Sequence, residues 1–214
     1  YSYAAIGSDP QHVRYTGEKT RLEIGADNVI REFTIINRGT AEGRGVTRIG
    51  NKNYLMAYAH IAHDCILGNN IVFANTASIA GHVRVGDHAI LGAFSGVHQN
   101  CLVGAYSFLG RATKIYQDIL PFMLVTGNPG APNGINAVGL KRHGFSRKAI
   151  RTLKDAFNLI HRRDIKLNEI QAELQKLATD TPEINILLDA INNSTRGFAR
   201  SARHHTQVEQ PVAL

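Results

Sequence analysis

The 214-residue sequence has no tryptophan, only 7% aromatic residues, two cysteines, and no apolar run near the roughly 20 residues that a membrane-spanning helix needs. The missing run excludes a helical membrane span, and the first residues do not resemble a signal peptide. Scarce aromatics and the lack of a recognition motif argue against nucleic acid as a partner, although the net charge is +7. That charge fits a solvated basic surface, an anionic substrate or an acidic protein partner. Hydrophobic content of 43% is enough for one domain with a small appendage.

What is present is a six-residue beat. From Ile49 every sixth residue is aliphatic or Phe: Leu55, Ile61, Leu67, Phe73, Ile79, Val85, Leu91, Val97, Val103, Leu109 and Ile115. Gly often follows, as at Gly50, Gly68, Gly86, Gly92, Gly104 and Gly110, and the fifth place is mostly small, as at Ala59, Cys65, Ala77 and Ala89. This is the signature of a parallel β-helix. Each hexad supplies a short strand and a bend, with the aliphatic and the small residue pointing inward and Gly expected to relieve strain at the corner. Three hexads close a triangular coil, so residues 18 apart become neighbours about 4.8 Å apart. Cys65 and Cys101 are then two coils, about 9.6 Å, apart. They are too distant for a disulfide, and we read both as core residues in a reducing compartment.

The same beat occurs at Ile6, Ile24, Ile30 and Ile36. Loops are expected near 8–20 and near 37–48, where the step from Ile36 to Ile49 is 13 residues. Solenoids usually place function in such loops. The chain opens in mid-coil without Met, so amino-terminal coils are expected beyond it. The β-helical domain is read as residues 1–120, an extended connection rich in Pro and Gly as 121–145, and a helical domain capped by Ser146 as 146–197. Helical spacing marks Ile150, Leu153, Phe157 and Ile160, then 167–177, then a helix from Pro182, before a tail from 198 to 214.

Four of the ten histidines, His60, His63, His82 and His98, fall in one region of the prism. Stacking by 18 places Gly81 over His63 and Gln99 over Gly81. A single surface histidine is ordinarily a solvated polar residue, whereas a cluster points to a site. Two chemistries suit it. His60-x-x-His63 with His82 could hold a metal and leave a fourth position open, as in a β-helix carbonic anhydrase-like zinc hydratase. Alternatively one His acts as general base, with Asp64 orienting it and the Gly81 N–H stabilising an oxyanion.

The runs Ala59-His60-Ile61-Ala62-His63-Asp64-Cys65, Ala80-Gly81-His82-Val83, Val97-His98-Gln99 and Gly139-Leu140-Lys141-Arg142 resemble the UDP-N-acetylglucosamine O-acyltransferases of lipid A biosynthesis. Gly144-Phe145-Ser146-Arg147 and Ser194-Thr195-Arg196-Gly197 extend the resemblance, which covers about residues 6–196. It implies a left-handed parallel β-helix with a small α-helical carboxy-terminal domain, assembled as a cytoplasmic homotrimer with active sites between subunits. The implied reaction moves a 3-hydroxyacyl chain from the phosphopantetheine of acyl carrier protein to the 3-hydroxyl of UDP-N-acetylglucosamine, without metal or other cofactor. This is the first step of lipid A biosynthesis.

By the same resemblance His63 is the base, Asp64 its partner and Gly81 the oxyanion donor. His60, His82, His98 and Gln99 contact substrate, and Asn136 and Arg142 hold the diphosphate region. His12 and Arg14 stand where relatives carry an acid and a Lys, and His143 stands where a second Arg is usual. Phe108 and Arg111 match the acyl-length ruler, Arg111 replacing a small residue, so a shorter chain is expected. Arg142, Arg147, Lys148 and Arg151 are placed to steer acidic acyl carrier protein. The related N-acyltransferase of the pathway is a second rival, and the Ala59–Cys65 run with Gly139–Arg142 fits the O-acyl enzyme better.

Overall fold

A computed structural model describes residues 1–162 and 165–200. The hexads form three parallel sheets, the walls of a triangular prism. The first wall runs from Ala5–Ser8 through Ile35–Asn37, His60–Ile61, Ser78–Ile79 and Gly96–Val97 to Lys114–Ile115. The second begins at Arg21–Ile24 and ends at Leu102–Val103, and the third runs from Val29–Ile30 to Phe108–Leu109 and a terminal hairpin. Register is the 18-residue step expected: Ile61 pairs with Ile79, and Ile79 with Val97. Every aliphatic of the beat from Ile49 to Ile115 is buried, as are Ala59, Cys65, Ala77 and Cys101 beside it. Both cysteines are free.

The corner glycines have a different role from the one expected. None of Gly50, Gly86, Gly92 and Gly104 has a positive φ; the left-handed residue is a non-glycine, recurring every sixth position from Lys52 to Ala112. Gly is needed because coils approach closely there. A Cβ on Gly50 would sit 2.4 Å from the Gly68 carbonyl oxygen, and one on Gly92 would sit 2.5 Å from that of Leu109. Each left-handed residue from Asn70 to Ala112 donates its N–H to a carbonyl 19 residues earlier, as His82 does to His63 and Asn100 to Gly81, both at 3.0 Å.

Ile6 pairs with Ile36 but is half exposed, and Ile24 and Ile30 are only partly buried, because they lie at the end of the stack. Loops leave the coil at 9–20 and 38–45. The stretch 121–145, expected to be an extended connection, instead forms the antiparallel hairpin Met123–Gly127 with Gly130–Ile135 and the helix α1, Ala137–Arg142. Its prolines and glycines make the turn, and Met123 and Val125 close the bottom of the prism core. Three more helices follow: α2 (Arg147–Ile160), α3 (Leu167–Asp180) and α4 (Ile184–Asn192). Ser146 caps α2 by accepting the Ala149 N–H at 3.0 Å. Leu153, Ala156, Ile160, Leu174 and Leu187 bury a shared apolar face.

The expected tail is docked at its start. Ala199 N–H donates to the Asp118 carbonyl at 2.9 Å, and Ser194 hydroxyl donates to the buried Asp118 carboxylate at 2.7 Å. The rest of that tail, 201–214, lies outside the described residues.

Ile79→Ala should lower stability by about 2–5 kcal/mol, since the cavity lies between two coils that cannot collapse independently. Gly50→Ala should also destabilise, although it adds only a methyl group at the surface. Denaturant midpoints of the two variants against wild type test both, and an unchanged midpoint for Gly50→Ala would refute the close-approach role.

Candidate active site

The site forms where the first wall turns toward the second. His63 precedes the left-handed Asp64, and one coil on Gly81 precedes the left-handed His82. Asp64 is fully buried and His63 nearly so. The His63 Nδ1 lies 2.9 Å from Asp64 Oδ2. The loop 38–45 closes over that carboxylate. Thr40 donates its N–H (3.0 Å) and hydroxyl (2.6 Å) to Oδ2, and the Arg44 N–H donates to Oδ1 at 2.7 Å. The Asp64 N–H, with no coil carbonyl beneath it, donates to the Thr47 hydroxyl at 2.8 Å. Burial opposes ionisation of Asp64, but hydrogen bonds from Thr40, His63 and Arg44 outweigh it and hold the carboxyl below its ordinary value.

An ionised Asp64 accepts a hydrogen bond from Nδ1–H of His63, which leaves Nε2 as the lone-pair nitrogen. That nitrogen lies against Gly81, where a Cβ would sit 2.7 Å from Nε2 and 2.5 Å from Cε1, so only glycine fits beside the ring. The Gly81 carbonyl accepts the Asn100 N–H, while the Gly81 N–H has no acceptor among the described residues. A base and a backbone donor therefore stand side by side. Rings of His12 and His82 pack edge-on against His63 at 5.1 and 5.2 Å. Burial lowers the basicity of His82, and the Asp64 charge works in the other direction. Burial also depresses His60, with His63 adding to the effect.

A groove of about 520 Å³ runs along the first wall from this corner. His12, His60, His63, Gly81, His98 and Gln99 line it, together with Lys114 and Tyr116 at its other end. Eight of the residues read from the sequence thus come together, counting Asp64 and His82 behind and beside the base. Others do not. Arg14 is exposed and pairs with Glu42 at 2.8 Å. Asn136 caps α1 and donates to the Tyr106 carbonyl at 3.0 Å, at the corner between the second and third walls, and Arg142 ends the same helix. Phe108 faces out of the third wall and Arg111 lies against the Phe94 ring, both off the groove.

Nitrogen and oxygen atoms of His63, Asp64 and His82 lie within 4.8 Å of one another, a spacing compatible with a metal ion. His60, the expected ligand partner of His63, is outside that group. The Asp64 oxygens are already engaged by Thr40, Arg44 and His63, which suits an orienting role better than ligation.

Thr40 and Arg44 were not foreseen because the coil repeat does not reach into the loop, and Thr47, in the strand Val46–Ile49 that follows it, was not foreseen either. The one available signal was Gly43, whose Cβ would lie 2.4 Å from Asp64 Oδ2. Lys114 was not foreseen either, since its place in the groove depends on how its side chain folds back.

Comparison with known proteins agrees with this geometry. A profile described as UDP-N-acetylglucosamine O-acyltransferase, domain 2, matches residues 118–199, and the bacterial transferase hexapeptide profile matches residues 47–81. The acyl-[acyl-carrier-protein]–UDP-N-acetylglucosamine O-acyltransferase of Halorhodospira halophila is 52% identical over 200 residues, 94% of this chain and 78% of that protein. The Moraxella catarrhalis UDP-N-acetylglucosamine O-acyltransferase structure (LpxA) superposes with a TM-score of 0.89 at 44% identity, covering 92% of this chain and 77% of that one. LpxA from Acinetobacter baumannii gives 0.90 at 39% identity, with 92% and 77% covered. The fold is the left-handed parallel β-helix with a small helical carboxy-terminal domain. With about half its residues identical across nearly its whole length, the chain belongs to the acyl-[acyl-carrier-protein]–UDP-N-acetylglucosamine O-acyltransferase family.

Proposed function

We propose that this acyltransferase moves a 3-hydroxyacyl chain from acyl carrier protein to the 3-hydroxyl of UDP-N-acetylglucosamine, the first step of lipid A biosynthesis. The observation that carries the mechanism is the His63–Asp64 pair seated directly against Gly81. Nε2 of His63 takes the proton of the sugar hydroxyl as its oxygen attacks the thioester carbonyl. The Gly81 N–H holds the oxyanion of the tetrahedral intermediate. Collapse breaks the C–S bond, and the phosphopantetheine sulfur leaves with the proton that His63 returns. Asp64 stabilises the imidazolium and fixes its tautomer. The donor's own phosphopantetheine carries the acyl group, and this chemistry calls on no further cofactor.

Substrate contacts are assigned to His12, His60, His82, His98 and Gln99, which surround the base. Asn136 and Arg142 are assigned to the diphosphate region, and Arg14 to the substrate through loop 9–20. Asn136 and Arg142 sit at a different corner from His63, so one copy holds only part of the site. This separation supports a homotrimer in which a neighbouring copy brings that corner to His63, and the reaction's carrier-protein donor suits a cytoplasmic enzyme. Phe108 and Arg111 would meet the end of an acyl chain from the neighbouring copy in the same way. Arg142, Arg147, Lys148 and Arg151 are exposed around the start of α2 and suit an acidic carrier protein.

His63→Ala should reduce kcat by about 10²–10⁴-fold with the fold intact, followed as sugar-nucleotide product in a carrier-protein assay. Asp64→Asn should lower kcat while leaving KM for UDP-N-acetylglucosamine nearly constant; wild-type turnover in either variant would refute the pair as base and partner. Reversing Arg147 and Arg151 to Glu together should raise KM for acyl carrier protein and flatten the salt dependence of the rate. An unaltered salt dependence would assign those charges to a plain solvated helix face.

A further inference from the structure

The loop 38–45 and the strand Val46–Ile49 engage every polar atom of Asp64. The Thr47 hydroxyl accepts its N–H, the Arg44 guanidinium donates to its carbonyl, and the Arg44 N–H donates to Oδ1. Oδ2 is left to Thr40 and His63. It accepts the Thr40 N–H at 3.0 Å and the Thr40 hydroxyl at 2.6 Å, beside the His63 Nδ1 at 2.9 Å. The direction of that hydroxyl is fixed as well, because the Gly43 N–H donates to the Thr40 side-chain oxygen at 3.2 Å and leaves the hydroxyl proton for Asp64. Thr40 is buried and does not line the groove, so it touches the base only through the carboxylate.

We propose that Thr40 is a positioning residue for the general base, acting on His63 through Oδ2 of Asp64; the inference rests on the acyl-transfer reading above. Two donors from one residue hold Oδ2 where the Nδ1–H of His63 needs it, and they occupy the rest of its accepting capacity. An oxygen engaged in this way accepts the Nδ1 hydrogen bond without taking the proton. His63 then keeps its proton on Nδ1 and presents a bare Nε2 to the sugar hydroxyl. Without the Thr40 hydroxyl, Oδ2 is more basic and freer to turn, and the imidazole can present Nε2–H instead, a tautomer that cannot act as the base. The other titratable groups at this corner do not replace these donors. His82 Nε2 is 3.9 Å from Oδ2, beyond hydrogen-bond reach, and His12 packs on the His63 ring. Thr40 also shapes its own loop, since its carbonyl accepts the Gly43 and Gly45 N–H groups, but those backbone bonds do not need its side chain.

The test is a double-mutant cycle on acyl transfer to UDP-N-acetylglucosamine, with wild type, Thr40→Val, Asp64→Asn and the two combined, and Thr40→Ser as the conservative variant. Thr40→Val should lower kcat by about 10–100-fold at nearly constant KM for the sugar nucleotide, and Thr40→Ser should restore most of the loss. In the Asp64→Asn background, Thr40→Val should cost no more than about threefold further, because there is no carboxylate left for it to hold. Imidazole nitrogen NMR should show His63 with its proton on Nδ1 in wild type and a rise of the Nε2–H tautomer in Thr40→Val. Equal losses in the two backgrounds, or no recovery in Thr40→Ser, would overturn the inference and leave Thr40 a loop-shaping residue. Wild-type turnover in Thr40→Val beside an impaired Asp64→Asn would overturn it too, with the base and its partner still standing. If Thr40→Val does not fold, Thr40→Ala takes its place in the cycle with the same expectations. Absence of transfer by wild type would instead overturn the acyl-transfer reading, and the inference with it.

Discussion

The structure depends on one backbone constraint, a left-handed residue at every sixth position that turns the chain through each corner of the prism. For L-residues other than glycine that conformation costs about 1–2 kcal/mol each, comparable to one ladder hydrogen bond per corner at about 0.5–1.5 kcal/mol. Neither holds alone: the corner residue is stable only with a coil beneath it to accept its N–H. From this follow the 18-residue step, the inward aliphatic columns, and the stacking of His63 under Gly81 and Gly81 under Gln99.

The His63–Asp64 corner is where this pattern is broken. Asp64 occupies the left-handed place, yet its N–H bonds to the Thr47 hydroxyl, because the previous coil has left the stack to form loop 38–45. That excursion returns Thr40 and Arg44 over the Asp64 carboxylate. A regular coil offers backbone carbonyls at its corners, which would repel a carboxylate. The loop offers N–H groups and a hydroxyl instead, and so keeps a buried anion ionised beside an imidazole.

Much of this was legible in the sequence where the period holds. The buried columns, the free cysteines and the gathering of His60, His63, Gly81, His82, His98 and Gln99 follow from counting by six and eighteen, and the Ser146 cap from the helical spacing after it. What escaped lies where counting gives no coordinates. Thr40 and Arg44 belong to an aperiodic loop, and the hairpin at 123–135 is read from its pairing partners rather than its composition. The glycines were located correctly but explained wrongly. Composition shows that a side chain is missing, and only the neighbouring coil shows whether φ or close approach requires it. Asn136 and Arg142 show a further limit: they lie beyond the last hexad, so counting by eighteen could not tell that they sit at a different corner from His63.

Because each coil touches only the coil above and the coil below, the prism can be lengthened or trimmed in units without disturbing the rest. Loss of a complete coil between His98 and the hairpin would preserve register, corner bonding and the His63–Asp64 corner, while drawing the far end of the wall closer by one strand spacing. Groove depth in such an architecture is quantised by the backbone and fine-tuned by side chains. Divergence within this scaffold can therefore proceed by two independent routes, coarse steps through insertion or deletion of whole turns and small ones through single substitutions on a wall.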